Sequence, residues 1–263
     1  MPRDHRREYY HAWSQLTPPL RPHVDVVAAI RREIVGHPGR SLLLGVTPEL
    51  ADISTELVAL DQNYSMVTHV WPGNARARCA VVGDWRNANF LPASFSTCVG
   101  DISLGALRFP DDTELVCRRV VESLRPGGRF VCRVFLMPQI RESVAALRDA
   151  AMSGAIRNFH AFKIRLGMAL VTDQSRPRIG VDTIFSTFVG MFADRDELVR
   201  ATGWDRGHID TIDFYNGSSS AFHYTTGDQL LSLVSKIFKN PHFVPSGTYE
   251  LGERSPLLVA ECG

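Results

Sequence analysis

From residue 41 to residue 135 short apolar runs alternate with helical or loop segments, and a chain patterned this way is restricted to parallel strands joined by crossovers. Five runs read as strands: 41–44 (SLLL), 57–60 (LVAL), 78–82 (RCAVV), 95–100 (FSTCVG) and 129–135 (RFVCRVF). The more apolar of these suit a sheet covered on both faces. Ahead of the fifth, Leu115, Val116, Arg119, Val120 and Leu124 recur at helical spacing over 113–124, and Pro126-Gly127-Gly128 supplies a tight turn into the strand. The expected class is therefore α/β, with a doubly wound, mostly parallel sheet.

The flanks add to this core. Residues 24–35 read as a helix, preceded by Thr17-Pro18-Pro19-Leu20-Arg21-Pro22, an extended linker that lets the aromatic stretch before it fold back. Residues 139–170 are mainly helical, with Val144, Leu147, Ala151, Phe159, Phe162 and Leu166 as an apolar stripe, and suggest an inserted cap. A short helix over 195–202 ends at Gly203-Trp204, and 209–215 alternates like a strand. A last strand is expected at 257–261, with 248–251 as its hairpin partner. This divides the chain into an aromatic arm and helix (1–40), a ligand-binding core (41–136), a helical cap (137–192) and closing elements of the core (193–263).

Composition removes several classes of function. With 29 basic and 28 acidic residues the net charge is +1, which gives a nucleic-acid partner no support. Apolar runs fall well short of the ~18 residues of a membrane span, and the charged, aromatic start MPRDHRREYYHAW is not a secretory signal, so the expected location is cytoplasmic. Cys79, Cys98, Cys117, Cys132 and Cys262 are odd in number and lack CxxC spacing. They read as small buried hydrophobes, with neither a disulfide framework nor a zinc site indicated.

Candidate ligand-binding residues sit where the first four strands end. Gly45 lets the backbone approach a ligand, Thr47 is a suitable N-cap and Pro48 a suitable first helical residue, so a helix N-terminus is expected to face a carboxylate or phosphate there. An ordinary strand-to-helix turn would look the same. Asp61 lies sixteen residues beyond Gly45, close to the ~20-residue offset at which an acid receives ribose hydroxyls. Alternatively it caps the next helix at Gln62-Asn63-Tyr64. Asp84 and Trp85 pair an acid with an aromatic wall suited to a purine, or Trp85 simply packs. Asp101 and Ile102 end the fourth strand, where the acid faces ligand or merely forms a turn.

Taken in order, LLLGVTPEL, LVALD, VVGDW, FLPASFSTCVGD and LRPGGRFV resemble the class I S-adenosylmethionine (SAM) dependent methyltransferases over roughly residues 41 to 136. The resemblance implies a Rossmann-like seven-stranded sheet with SAM as cofactor. It matches Gly45 to the first glycine of the SAM loop, Asp61 to the ribose acid, Asp84 and Trp85 to the adenine-side pair, and Asp101 to the acid closing strand four. By the same resemblance, 209–215 and 257–261 are the family's closing strands. One departure stands out: Leu43, Thr47 and Glu49 occupy the family's acidic position and its second and third glycine positions. Lost glycines weaken a dinucleotide reading further.

The implied activity is methyl transfer to a small molecule enclosed by cap and arm, with a homodimer kept as an option for the assembly. Placement of the acceptor opposite sulfur supplies much of such a rate, and a base is needed only for some acceptors. His160, His223 and Tyr224 are the candidates for that role, each histidine also being compatible with plain packing. Tyr10 and Trp13, with Tyr9, form either a lid on the cofactor or a staple on the core. A SAM-binding protein of the same fold that transfers no methyl group is the alternative, motivated by the altered loop.

Overall fold

The computed structural model describes residues 8–263. Residues 1–7 and the Tyr9 side chain lie outside the described set, so the lid reading can be followed only on Tyr10 and Trp13. The first element of the described residues is a 3-10 segment, Tyr9–Gln15, followed by α1, Val24–Ile34. Five strands follow: β1 (Arg40–Leu44), β2 (Glu56–Asp61), β3 (Arg78–Val82), β4 (Phe95–Asp101) and β5 (Leu124–Arg133). Two helices lie between them, α2 (Tyr64–His69) and α3 (Asp111–Ser123), the latter with Asp111, Asp112 and Glu114 at its positive end.

The 17–22 linker is a turn rather than extended, because the Leu20 and Arg21 N–H groups both donate to the Thr17 carbonyl. Beyond β5 come α4 (Val144–Met152), α5 (Phe159–Leu170), β6 (Arg178–Gly180), α6 (Val181–Met191), α7 (Arg195–Thr202) and α8 (Arg206–Asp210). Ser143, Asn158 and Asp194 cap α4, α5 and α7 through their side chains, and Gly203, at φ +70°, ends α7.

The expected strand at 209–215 is absent: α8 runs straight into a 3-10 turn, Thr211–Tyr215. Asp205 caps α8 by accepting from the His208 N–H, and this local bond commits the segment to helix. Its apolar residues fit either period: Ile209, Ile212 and Tyr215 recur at three-residue spacing and bury together with Phe159, Phe162, Phe188 and Trp204. The sheet resumes only after β7 (Ala221–His223) and α9 (Gly227–Val234), with β8 (Lys239–Val244) and β9 (Leu257–Glu261). β8 therefore replaces the hairpin partner expected at 248–251.

The seven-stranded order is β3-β2-β1-β4-β5-β9-β8. β1 to β5 are parallel, whereas β9 runs antiparallel between β5 and β8. Strand alternation explains the two faces. Leu43, Val99, Val131 and Val259 turn toward α1, while Leu42, Leu44, Cys98, Phe130, Cys132 and Leu258 turn toward α3 and α9. Cys79, on the edge strand, is only half-buried, unlike the other four free cysteines. No helix among the described residues is long and apolar enough to cross a membrane.

Candidate functional site

Parallel pairing brings the ends of β1 to β4 to one edge, where doubly wound sheets take their ligands. Gly45 follows β1 with φ +103°, in the region that disfavours a β-carbon. A Cβ placed there would lie 3.6 Å from Trp85 Cζ2 and 3.7 Å from Asp61 Oδ2. Asp61 and the indole thus close over the loop together. Asp61 Oδ2 accepts from the Val46 N–H at 3.1 Å and Oδ1 from the Asn63 N–H at 2.8 Å, while Asn63 itself caps α2 by accepting from the Ser65 N–H. The carboxylate both ends β2 and braces the turn into the next helix. Gln62 is exposed.

The helix N-terminus expected at Thr47 does not form. Pro48 opens only a 3-10 turn, Pro48–Leu50, and Thr47 is buried without a side-chain cap bond. β2 begins at Glu56, and the turn-forming Asp52 and Ser54 leave no length for a full helix. Glu49, at the third glycine position, is paired with Arg21 at 2.5 Å, and that guanidinium lies 5.1 Å from the Trp13 ring. Tyr10 stacks on His69 of α2 at 4.5 Å. The arm is thereby fastened across the loops that follow β1 and β2.

Asp84 receives a bidentate contact from Arg86, Nε to Oδ1 at 3.0 Å and Nη2 to Oδ2 at 2.6 Å. Hydrogen bonding to that guanidinium holds its carboxyl below the usual range, against the effect of burial. Beside it Leu60, Gly83, Asp84, Asn87, Asn89 and Phe90 line a groove of about 380 Å3, open to solvent. The Trp85 indole N–H donates to the Leu60 carbonyl at 2.5 Å.

Asp101 does not face a ligand as expected. Arg133, its register partner on β5, binds both oxygens, Nε to Oδ1 at 2.5 Å and Nη2 to Oδ2 at 3.0 Å, and both side chains are buried. Burial pushes the Asp101 carboxyl up and Arg133 opposes it. Arg133 Nη1 reaches the Tyr249 hydroxyl, which also bonds Ser246 and Ser255. Arg133, the one charged residue within the apolar run FVCRVF, was the sequence signal for this partner, since a buried guanidinium needs a buried acceptor.

Above the ends of β4 and β5 lies a second, mostly apolar cavity with about 30 Å3 of free space, lined among others by Ile102, Phe135, Lys163, Tyr215, His223 and Tyr224. Ile102 adopts φ +61°, a costly conformation for a β-branched residue. His223 Nδ1 accepts from the Phe109 N–H at 3.3 Å, leaving Nε2 to carry the proton, and burial pushes its pKa down.

His160 is not among the cavity-lining residues. It is fully buried on α5 with Nε2 3.0 Å from the Gln15 carbonyl, and burial pushes its pKa down to about 3. It therefore anchors the arm as a neutral packing residue, which removes it from the candidate bases. Lys163 was not singled out from sequence, although a signal was present. The chain has only three lysines among its 29 basic residues, and this one is flanked by Phe162 and Ile164.

No protein-family model and no curated protein sequence matches this chain. Solved structures do match its fold. A protein of Rhodobacter sphaeroides, provisionally designated a Zn-dependent alcohol dehydrogenase, is 12% identical with a TM-score of 0.58, each chain covered in full. The 1,6-didemethyltoxoflavin-N1-methyltransferase of Burkholderia thailandensis, solved with 1,6-didemethyltoxoflavin and S-adenosylhomocysteine, is 13% identical with a TM-score of 0.51, over 97% of this chain and 84% of that one. A SAM-dependent methyltransferase of Mesorhizobium loti is 14% identical with a TM-score of 0.50, over 89% and 96%. The fold is that of the class I methyltransferases.

Proposed function

We propose that this chain, folded as a class I methyltransferase, binds SAM across the carboxyl ends of β1 to β3 and methylates a small molecule seated in the cavity above β4 and β5. The supporting observation is placement at one sheet edge. A ribose-competent carboxylate, a positive-φ glycine, an open groove and an apolar cavity all lie at the carboxyl edge of the same parallel strands.

The donor set fits the adenosine half of the cofactor. Asp61 would receive the ribose hydroxyls, and the groove at Asp84 and Asn87 would take the purine, with the Trp85 ring as its wall. At Gly45 a carbon placed on the backbone would be in ordinary contact with the indole at 3.6 Å, so a group bulkier than a methyl would press on that ring. For the methionine half Asp101 is unsuited, being held by Arg133. When bound, SAM would supply a sulfonium-activated methyl group. The chain's own work is to orient the acceptor and exclude water, with His223 and Tyr224 in contact with it. His223, neutral and with its Nε2 protonated, is ready to donate a hydrogen bond rather than to take a proton.

A second reading, SAM binding without methyl transfer, is favoured by the indole over Gly45 and by the Glu49–Arg21 pair in place of a glycine. Calorimetric titration with SAM, then assay of S-adenosylhomocysteine release with a panel of small acceptors, separates the two. Binding with turnover supports transfer, binding without it for any acceptor supports the second reading, and no binding removes both.

A further inference from the structure

The cavity above β4 and β5 contains a cation with no counter-ion. Lys163 is 2% exposed, and its Nζ donates to Thr211 Oγ1 at 3.1 Å. Among the described residues no carboxylate lies within ion-pairing distance of it. Its remaining surroundings are aromatic, with the Tyr215 ring centroid at 4.9 Å and that of Phe159 at 5.7 Å. Thr211 accepts as a neutral hydroxyl, its own proton being donated to the His208 carbonyl at 2.7 Å, and brings no negative charge.

A buried ammonium with one neutral hydrogen bond is a costly arrangement, since desolvation of a charge is ordinarily offset by a paired anion. Arginine serves at nearly every other basic position of this chain, so the choice of lysine here matters physically. A lysine can lose its proton in an apolar site, whereas a guanidinium cannot. Burial indeed pushes Lys163 down to about 7.

We propose that the acceptor is a small, mainly aromatic or aliphatic molecule carrying one anionic oxygen, a carboxylate or an acidic phenol or enol, which Lys163 Nζ receives inside this cavity. The idea rests on the methyltransferase reading for the word acceptor, but the anion site itself does not. The apolar lining of Ile102, Phe135, Tyr215 and Tyr224 would part around the body of the molecule, and the ammonium would fix its one charged end. A charge-assisted bond at a desolvated site is stronger than a neutral one and would set orientation as well as selectivity.

The test uses the full chain with lysine labelled with carbon-13 at Cε. Three signals are expected, and a soluble paramagnetic agent will broaden the two exposed ones, Lys236 and Lys239, leaving Lys163. Benzoate and 4-nitrophenolate are the anionic probes, and benzamide is the neutral isostere. The expected result is a shift of the Lys163 signal with at least one anionic probe and none with benzamide, together with at least tenfold weaker probe binding in Lys163→Met and unchanged SAM affinity. An unmoved Lys163 signal, or equal shifts with benzamide, would overturn the proposal. The labelled wild-type chain decides even where the variant misfolds. Should the probes behave as expected while SAM fails to bind, the anion site stands and the methyltransferase reading falls.

Discussion

Arg133 and Asp101 sit at the same level of adjoining parallel strands, each buried, with the guanidinium gripping both carboxylate oxygens at 2.5 and 3.0 Å. Replacing one partner strands the other charge in a dry interior. Asp101→Asn or Arg133→Met should each lose about 3–5 kcal/mol of unfolding free energy, whereas Asp101→Leu with Arg133→Met should recover much of that loss. Urea unfolding of the four chains measures both effects. Single variants as stable as wild type would show that the pair is not a closed unit.

Asp61 has two duties that substitution should reveal separately. Asp61→Ala removes the acceptor for the Val46 and Asn63 N–H groups, and a stability loss of about 1–3 kcal/mol is expected. Asp61→Asn keeps an acceptor oxygen and should be milder in unfolding, yet it should weaken SAM binding about ten- to a hundredfold through loss of charge-assisted bonds. Calorimetry beside thermal unfolding resolves the two. Wild-type SAM affinity in Asp61→Asn would remove the ribose role.

Stability should vary with pH in two windows. His160 has its folded pKa near 3, below its ordinary 6.5, so between these values the unfolded chain holds a proton that the folded chain lacks. Stability then falls as pH drops from about 6.5 toward 3. Lys163, near 7 instead of 10.5, gives the same sign higher up, and stability rises with pH between those values. His160→Phe should flatten the acid limb. Lys163→Met should flatten the alkaline one and, lacking an unpaired buried charge, be more stable than wild type at neutral pH. Unfolding curves across pH 4 to 10 check each slope.

Removal of residues 1–16 should leave the sheet intact, because β1 starts at Arg40. It should also uncover His160, whose ring faces the Gln15 carbonyl, and move its titration up toward the ordinary range. NMR titration reads this directly. Weakened SAM binding in the same truncation would mark the arm as a lid. Unaltered binding with a shifted His160 would leave it a staple.

The strands of the core were legible because each is a short apolar run bounded by turn residues, and period-two alternation such as Leu42-Leu43-Leu44 divides cleanly between the two faces. Residues 209–215 were misread because Ile209, Ile212 and Tyr215 satisfy a three-residue period as well as a loose alternation, and only the Asp205 cap distinguishes them. Strand-end acids could be located from sequence, but their partners could not. Arg133 is 32 residues from Asp101, and Arg21 is 28 from Glu49, so which carboxylates are already engaged depends on tertiary pairing. The Lys163 environment is likewise assembled from distant segments, Ile102, Phe135 and Tyr215.

The antiparallel β9 has a consequence for the order in which the chain can be built. Among the described residues β8 hydrogen-bonds in the sheet only to β9, and β9 is made after it, so on a ribosome β8 emerges before its strand partner exists. Until Leu257–Glu261 arrives, the outer edge of β5 also stays open, and an open edge is a template for pairing with another chain. The five parallel strands can form early, but closure of the sheet awaits a single late strand inserted between two others. Nascent chains stalled between residues 244 and 257 are therefore the species in which misassembly or chaperone capture should concentrate.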